Sequence, residues 1–289
     1  MTTFTDLVEV EALGSERYRA VTDSPLTRPT LFGGALVAQA LRAAAASTDP
    51  EKHPHSLHAT FVRAGQAGNG VEFQVTRTRD GRSFSTRQVT VWQGERVLAT
   101  VTASFHRDEP SKEYQSPADG PVPCPDDEIL AARASSGPSA LGIDIVDVSE
   151  PGEPRYLAWA RSQQPLPADR VLHACAMTYA SDGGAPGVAA TAIGLLAGGP
   201  DVPLAVRAPD EPPGGRWQHG DASMTASLDH AIWFHRAGRC DDWFLVSAVP
   251  LSTAGSRGLV LGSVRDRNGR HLASFTQEML IRAAQADVG

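Results

Sequence analysis

Apolar residues in this chain fall into two spacings, one of period two and one of period three to four, and the order in which they come is repeated. "RDGRSFSTRQVTVWQGERVLATVTASF", Arg79 to Phe105, alternates apolar and polar residues around Gln93 and Gly94 and predicts a β-hairpin. "GSRGLVLGSVRDRNGRHLASFTQEML", Gly255 to Leu280, resembles it, with Gln277 and Glu278 where the first stretch has Ala103 and Ser104. Well upstream of each hairpin lies a strand-like run, "SERYRAVTDSPL" and "EPRYLAWARSQQPL". Each run leads into an amphipathic pattern, "FGGALVAQALRAAAAS" and "ADRVLHACAMTYASD", which predicts helices over Leu36–Ala46 and Val171–Tyr179. Their faces are small or apolar nearly all round, with Ala35, Leu36, Ala38, Ala40 and Leu41 in one and Val171, Leu172, Ala174, Cys175 and Met177 in the other. Such helices are buried.

The repeat can be measured by offsets. Arg17 aligns with Arg155, a shift of 155 − 17 = 138, whereas "HATFVRAG" aligns with "AIWFHRAG" at 231 − 58 = 173 and the hairpins align at 272 − 98 = 174. The jump places an insertion between helix and next strand in the second copy, and the Gly- and Pro-filled segment Gly183–Gly220 is its expected position. This excursion leaves the helix beside Asp182, so it is expected to border a binding channel there. Between the copies, the acidic, Pro-rich segment 108–128 reads as a linker, giving domains 1–107 and 129–289. The expected fold class is α+β, with an antiparallel sheet wrapped around a central helix, twice in one chain.

Composition narrows the function classes. Net charge is −7, and arginine supplies nearly all the positive charge because Lys52 and Lys112 are the only lysines. A nucleic-acid partner, which needs a basic face, is not expected. Three cysteines, Cys124, Cys175 and Cys240, are far apart and in no CxxC arrangement, which speaks against disulfides and zinc and fits a reducing cytoplasm. The start "MTTFTDLVEVEAL" lacks the pattern of a secretory signal, and the longest apolar run, "GVAATAIGLLAGG", is too short to span a bilayer.

Taken together, "FGGALVAQAL", "HSLHATFVRAG", "RDGRSFSTRQV", "YASD", "SLDHAIWFHR", "DDWFLV" and "SRGLVLG…GRHLASFTQE" occur in the order found in type II acyl-CoA thioesterases. The chain resembles this double-hotdog family, which includes bacterial thioesterase II and its peroxisomal relatives, over almost its whole length. The resemblance implies two hotdog domains and hydrolysis of a fatty acyl thioester to free acid and coenzyme A, with no cofactor. It also implies a catalytic set of an Asp, a hydroxyl residue and a Gln that hold and activate a water; these fall on Asp182, Ser227 and Gln277. Hotdog sheets often pair through further subunits, so a homo-oligomer is expected. The sequence departs from the family pattern at Ser227, where bacterial relatives commonly carry Thr, at Met279, where Gly is usual, and in the length of the excursion after Asp182.

The residue chemistry is consistent with that assignment. Water at neutral pH needs a base, and a carboxylate with an ordinary pKa of ~3.9 must be desolvated or finely oriented to act as one. The apolar run "ACAMTYAS" before Asp182 supplies surroundings for desolvation. Ser227 and Gln277 offer donors and acceptors that could fix one water with Asp182. Gly33 and Gly34 open a helix whose free N–H groups favour negative charge, and Arg82 and Arg257, with Arg79 and Arg87, are candidates for the coenzyme A phosphates. Without the resemblance, Asp182 ahead of Gly183 and Gly184 reads first as a helix end turning away. Asp229 and His230 form a tempting acid–base pair, yet adjacent strand residues point to opposite faces. His53, His55 and His58 suggest a metal, but no acidic or Cys residue nearby completes a set, and none is expected. No GxSxG elbow, P-loop or GxGxxG is present. Two other functions stay open: hydration or dehydration of an enoyl thioester, and acyl-CoA binding without catalysis.

Overall fold

A computed structural model describes residues 3–21, 30–117, 124, 142–150, 153–194 and 224–282. The first half runs α1 (Phe4–Val8), β1 (Val10–Gly14), β2 (Arg17–Ala20), α2 (Gly33–Ala46), β3 (Lys52–Phe61), β4 (Glu72–Asp80), β5 (Phe84–Gln93) and β6 (Arg96–Arg107). The second half repeats that order in β7 (Ile143–Asp147), β8 (Tyr156–Ser162), α3 (Arg170–Ser181), β10 (Asp229–Phe234), β11 (Phe244–Ala254), β12 (Arg257–Asp266) and β13 (His271–Arg282). Between α3 and β10 it inserts α4 (Ala185–Ala192) and the short strand β9 (Met224–Ser227).

All thirteen strands among the described residues belong to one antiparallel sheet, ordered β1-β2-β4-β5-β6-β3-β10-β13-β12-β11-β8-β7, with β9 paired to β13. The two copies meet at β3 and β10, where His58 faces Ala231 and Leu57 faces Ile232. Alternating burial along β5 and β13 turns one face of the sheet toward the helices, as period-two patterning requires. Both helices pack on that face and on each other, with the Cys175 thiol against the Ala38 carbonyl at 3.3 Å. Their alanine-rich sides make so close an approach possible. They run antiparallel: the start of α2 meets the end of α3 at Tyr179 and Asp182, and Arg42 near the other end pairs with Asp169, the N-cap of α3. One large buried core runs through both halves, from Phe73 and Phe105 to Phe244 and Phe275, and a small second cluster gathers Val146, Trp159, Trp243 and Leu245. No helix among the described residues is long and apolar enough to cross a membrane.

Two features differ from the expectation. The excursion after Asp182 does not begin as loop. Gly184, at φ +82°, turns the chain and α4 follows, with a proline in its first turn and Ala185, Val188, Ala189 and Ala190 buried. The opening of the Gly- and Pro-filled segment, 185–192, is thus a helix with one buried side, packed so closely that a Cβ on Gly258 of β12 would lie 2.8 Å from Ala189. Most of the excursion, residues 195–223, lies outside the described residues, as does any bordering of the channel by it. The linker segment 108–128 has no regular structure over 108–117, and beyond that only Cys124 is described.

The second difference concerns Arg87, a candidate for phosphate binding that is fully buried. Its guanidinium donates to the Ser47 hydroxyl and carbonyl (both 2.9 Å), to the Arg79 and Thr86 carbonyls (both 3.0 Å) and to Asp80 (2.6 Å). Ser47 is the C-cap of α2, so a planar cation sits on the negative end of that helix. Arg87→Ala is expected to destabilise the fold by about 2–5 kcal/mol, because it empties a fully buried site and leaves the Ser47, Arg79 and Thr86 carbonyls without their donor, whereas exposed Asp80 keeps Ser85. A urea midpoint within error of wild type would contradict this role.

Candidate active site

Three elements of the second half and one of the first converge on Asp182. Asp182 is the C-cap of α3, where the helix stops at Gly183 and Gly184, and it is only 6% exposed. Gln277 lies on the inward face of β13 with no exposure. Ser227 ends β9 opposite Met279, and the next residue is pinned on both sides: Leu228 N–H donates to the Glu278 carbonyl and its own carbonyl accepts from Phe61, both at 2.9 Å. The usual glycine is replaced by Met279, whose side chain is fully buried.

The Gln277 amide joins the other two. Its Nε2 donates to Asp182 Oδ1 at 2.8 Å and to Ser227 Oγ at 2.7 Å, which uses both of its hydrogens. The Ser227 hydroxyl hydrogen is not used in these two bonds, and the carboxyl also accepts from the Gly34 N–H at the start of α2. Residues 182, 227 and 277, far apart in sequence, are thereby one hydrogen-bonded unit.

Burial pushes the Asp182 carboxyl up to about 7, against the opposing pull of hydrogen bonds from the Gly34 backbone and the Gln277 side chain. A carboxylate held there is a base poised near neutral pH. The α2 N-terminus has Phe32 as N-cap with no side-chain cap, so its first N–H groups are open toward the carboxylate. Two glycines make this approach possible. A Cβ on Gly33 would lie 2.9 Å from both Asp182 Oδ2 and the Phe61 ring, and one on Gly34 would lie 2.7 Å from the Tyr179 carbonyl and 2.6 Å from the Phe32 ring. Phe32 stacks edge-on against Tyr179 at 5.0 Å, so the wall beside the carboxylate is aromatic. The corresponding end of α3 differs: Asp169 accepts from Val171 and Leu172 and is tied to Arg42, so that helix start is already capped by an anion. Both helix starts thus meet a carboxylate, α3 its own N-cap Asp169 and α2 the distant Asp182.

The remaining candidates lie elsewhere. Arg82 is exposed in the β4–β5 turn, at the Lys52 end of β3, while Phe61 and the carboxylate are at the other end. Arg257 is exposed at the start of β12 and pairs with Glu278 at 2.9 Å, one residue from Gln277. His53, His55 and His58 are spread along β3, with His55 bonded to Ser104 and His58 edge-on to Trp233; among the described residues no cluster is arranged to hold a metal.

Asp229 and His230 point apart. Asp229 accepts from the Glu278 backbone at 2.7 Å, whereas His230 is fully buried, with Nδ1 3.9 Å from Asp182 Oδ1 and Nε2 3.0 Å from the Ser181 hydroxyl. Burial lowers His230 to about 4, so it is neutral at pH 7. Weighing the two as a joint pair obscured this residue. Its signal was the parity of β10, which places His230 on the buried face with Ile232.

A helix pair wrapped by one antiparallel sheet of two matching halves defines a double-hotdog protein. Residues 22–106 match the acyl-CoA thioesterase N-terminal domain and residues 115–281 match the acyl-CoA thioesterase C-terminal domain. The chain belongs to the acyl-CoA thioesterase family, a family of thioester hydrolases. It is 31% identical to acyl-coenzyme A thioesterase 8 of Rattus norvegicus over 96% of this chain and 88% of the relative. To acyl-CoA thioesterase 2 of Haemophilus influenzae it is 30% identical over 88% of each. Among solved structures, an acyl-CoA thioesterase II from Mycobacterium marinum matches with a TM-score of 0.74 and 30% identity, covering 98% of this chain and 99% of that one.

Proposed function

We propose that the protein hydrolyses acyl-CoA thioesters, using a water activated by Asp182 with Gln277 and Ser227 as its positioning partners. The observation that carries this reading is the direct bonding of a buried, near-neutral carboxyl to a buried amide that also holds a hydroxyl. In this mechanism ionised Asp182 takes a proton from water as its oxygen bonds to the thioester carbon. The remaining N–H groups at the α2 start face the charge that develops on the carbonyl oxygen. The C–S bond then breaks, and protonated Asp182 returns its proton to the leaving thiolate. Phe32 and Phe61 beside the glycines supply an apolar wall for the acyl chain.

Purified protein incubated with acyl-CoAs of graded chain length and a thiol reagent tests the reading: thiol release supports it, and none at any length sinks it. The placement of His230 near Asp182 brings an acid and an imidazole together, the pairing an enoyl-thioester hydratase would use. His230 is buried and its nearest contacts are Ser181, Gln277 and Asp182, so hydrolysis remains our reading; loss of enoyl absorbance without thiol release would reverse it. Ser227→Ala and Gln277→Ala should each lower turnover by less than loss of the base, and the double variant should fall short of the product of the two losses, since both act on one carboxylate. Fully multiplicative losses would mean that they act separately.

We also assign the two units to 1–107 and 129–289 with 108–128 as linker, supported by the repeated element order. Cytoplasmic residence fits the free thiols of Cys124, Cys175 and Cys240. Assembly into a homo-oligomer completes the reading.

A further inference from the structure

Gln277 can bond both Asp182 and Ser227 only if its amide nitrogen, and not its oxygen, faces them. While Asp182 is ionised, its carboxylate oxygen can only accept and imposes that choice, whereas the Ser227 hydroxyl suits either orientation. Once Asp182 carries a proton, as it must after taking one from water, it can donate, and the flipped amide becomes competitive. Something on the other side must therefore hold the oxygen.

The register of β10 and β13 pairs Ala231 with Thr276, which sets His230 directly across from Gln277 on the same inward face. His230 Nδ1 and Gln277 Oε1 are both buried and both lack a partner of good geometry. Two such groups on one strand pair, each costly if left alone, are complementary in one tautomer and repulsive in the other. The other ring nitrogen does not settle the tautomer. Ser181 Oγ is 3.0 Å from Nε2 and 3.1 Å from the Thr178 carbonyl, and its single hydrogen can serve either. If it serves Thr178, Nε2 carries the ring proton and Nδ1 presents a lone pair to Asp182 and Gln277, three acceptors in a dry site. If it serves Nε2, the ring proton sits on Nδ1, facing Gln277 Oε1.

We infer that His230 is a positioning residue whose Nδ1–H holds the oxygen of Gln277, locking the amide with its nitrogen toward Asp182 and Ser227 through the catalytic cycle. Phe275, with its ring centroid 5.9 Å from that of His230, packs against the imidazole. The inference rests on the proposed role of Gln277, but its first test does not need enzymatic activity.

That test is 15N NMR of the histidine-labelled wild-type protein, with the His230 signals assigned by their absence from a His230 variant. A protonated Nδ1 and a bare Nε2 support the inference, and the reverse tautomer overturns it. The second test uses two substitutions that each mimic one ring nitrogen. His230→Asn keeps a donor near Nδ1 and gives up the Ser181 contact; His230→Gln reaches toward Ser181 and gives up the donor. Loss of one such bond predicts a fall in kcat of roughly tenfold for His230→Gln with KM unchanged, and recovery of most of the activity in His230→Asn. Equal losses in both variants, or the better rate in His230→Gln, would overturn the assignment. An active-site reading that fails altogether shows up separately, as a wild type that releases no thiol while its tautomer is still measured.

Discussion

Asp182→Asn is expected to lower turnover by roughly 10²-fold or more while leaving the protein folded and more resistant to heat at pH 8. The loss follows from removal of the base with its shape retained. The gain in stability follows from the same carboxyl. Its pKa is raised from 3.8 in the unfolded chain to about 7 in the fold, so between those values the folded state binds more protons than the unfolded one. Stability tied to this group is therefore fully present below pH ~4 and is lost as pH rises toward and past 7, by a total on the order of 4 kcal/mol. Asn never ionises and escapes that loss. Part of the gain is offset because its amide nitrogen cannot accept from Gly34 as the carboxylate does. Thermal melts of the two proteins at pH 5 and pH 8 check the sign: the advantage of the variant should grow with pH.

The same shift sets the pH profile of the wild type. The ratio kcat/KM should rise with pH along a limb centred near 7, as Asp182 ionises. Gln277 donates to the ionised form and lowers this pKa, so Gln277→Ala should move the limb to higher pH. A limb that stays in place, or near wild-type turnover in Asp182→Asn, would remove Asp182 from the chemistry.

Gly34→Ala is expected to damage both fold and activity. Its new methyl would lie 2.7 Å from the Tyr179 carbonyl, a backbone atom that cannot swing away, and 2.6 Å from the Phe32 ring. Overpacking of this kind costs about 1–3 kcal/mol, and it separates the start of α2 from the carboxylate it serves. A shift of about 1 Å at such a site is enough to lower the rate by 10²-fold. Gly33→Ala is the informative contrast. Its methyl would meet the Asp182 carboxylate and the tip of Phe61, both side-chain ends that can move, so activity should fall with a smaller change in melting temperature. Gly70→Ala, where nothing lies within 4 Å, is the control, with an expected change within about 0.5 kcal/mol. Equal behaviour of Gly34→Ala and Gly70→Ala would show that helix approach does not set the geometry.

Local patterning made much of this molecule legible. Period-two and period-three-to-four runs of "RQVTVW" and "ALVAQAL" express strands and a buried helix whatever surrounds them, and their recurrence at consistent offsets is enough to establish the repeat. The polar end of the second hairpin was legible for the same reason: Gln277 stands at an inward position where the first copy has Ala103, and a buried amide asks for partners. The insertion after Asp182 was legible but its opening helix was not, because its glycines and proline are turn formers by local preference, and tertiary burial of Ala185, Val188 and Ala189 against β11–β13 outweighs that preference.

Arg87 and His230 show the limit from the other side. As residue types they fit solvent, phosphate or catalysis equally well, and nothing near them in sequence says that one grips the Ser47 carbonyl and the other faces Gln277. By itself, then, the sequence determined the elements, their doubling and the identities of the acid, hydroxyl and amide. Tertiary structure alone decided which distant carboxylate meets the start of α2, how far Asp182 is desolvated, and which partner each buried polar group finds. Those properties depend on distances between residues 40 or more apart in the chain, such as Ser227 and Gln277 at 2.7 Å, and on the removal of water between them.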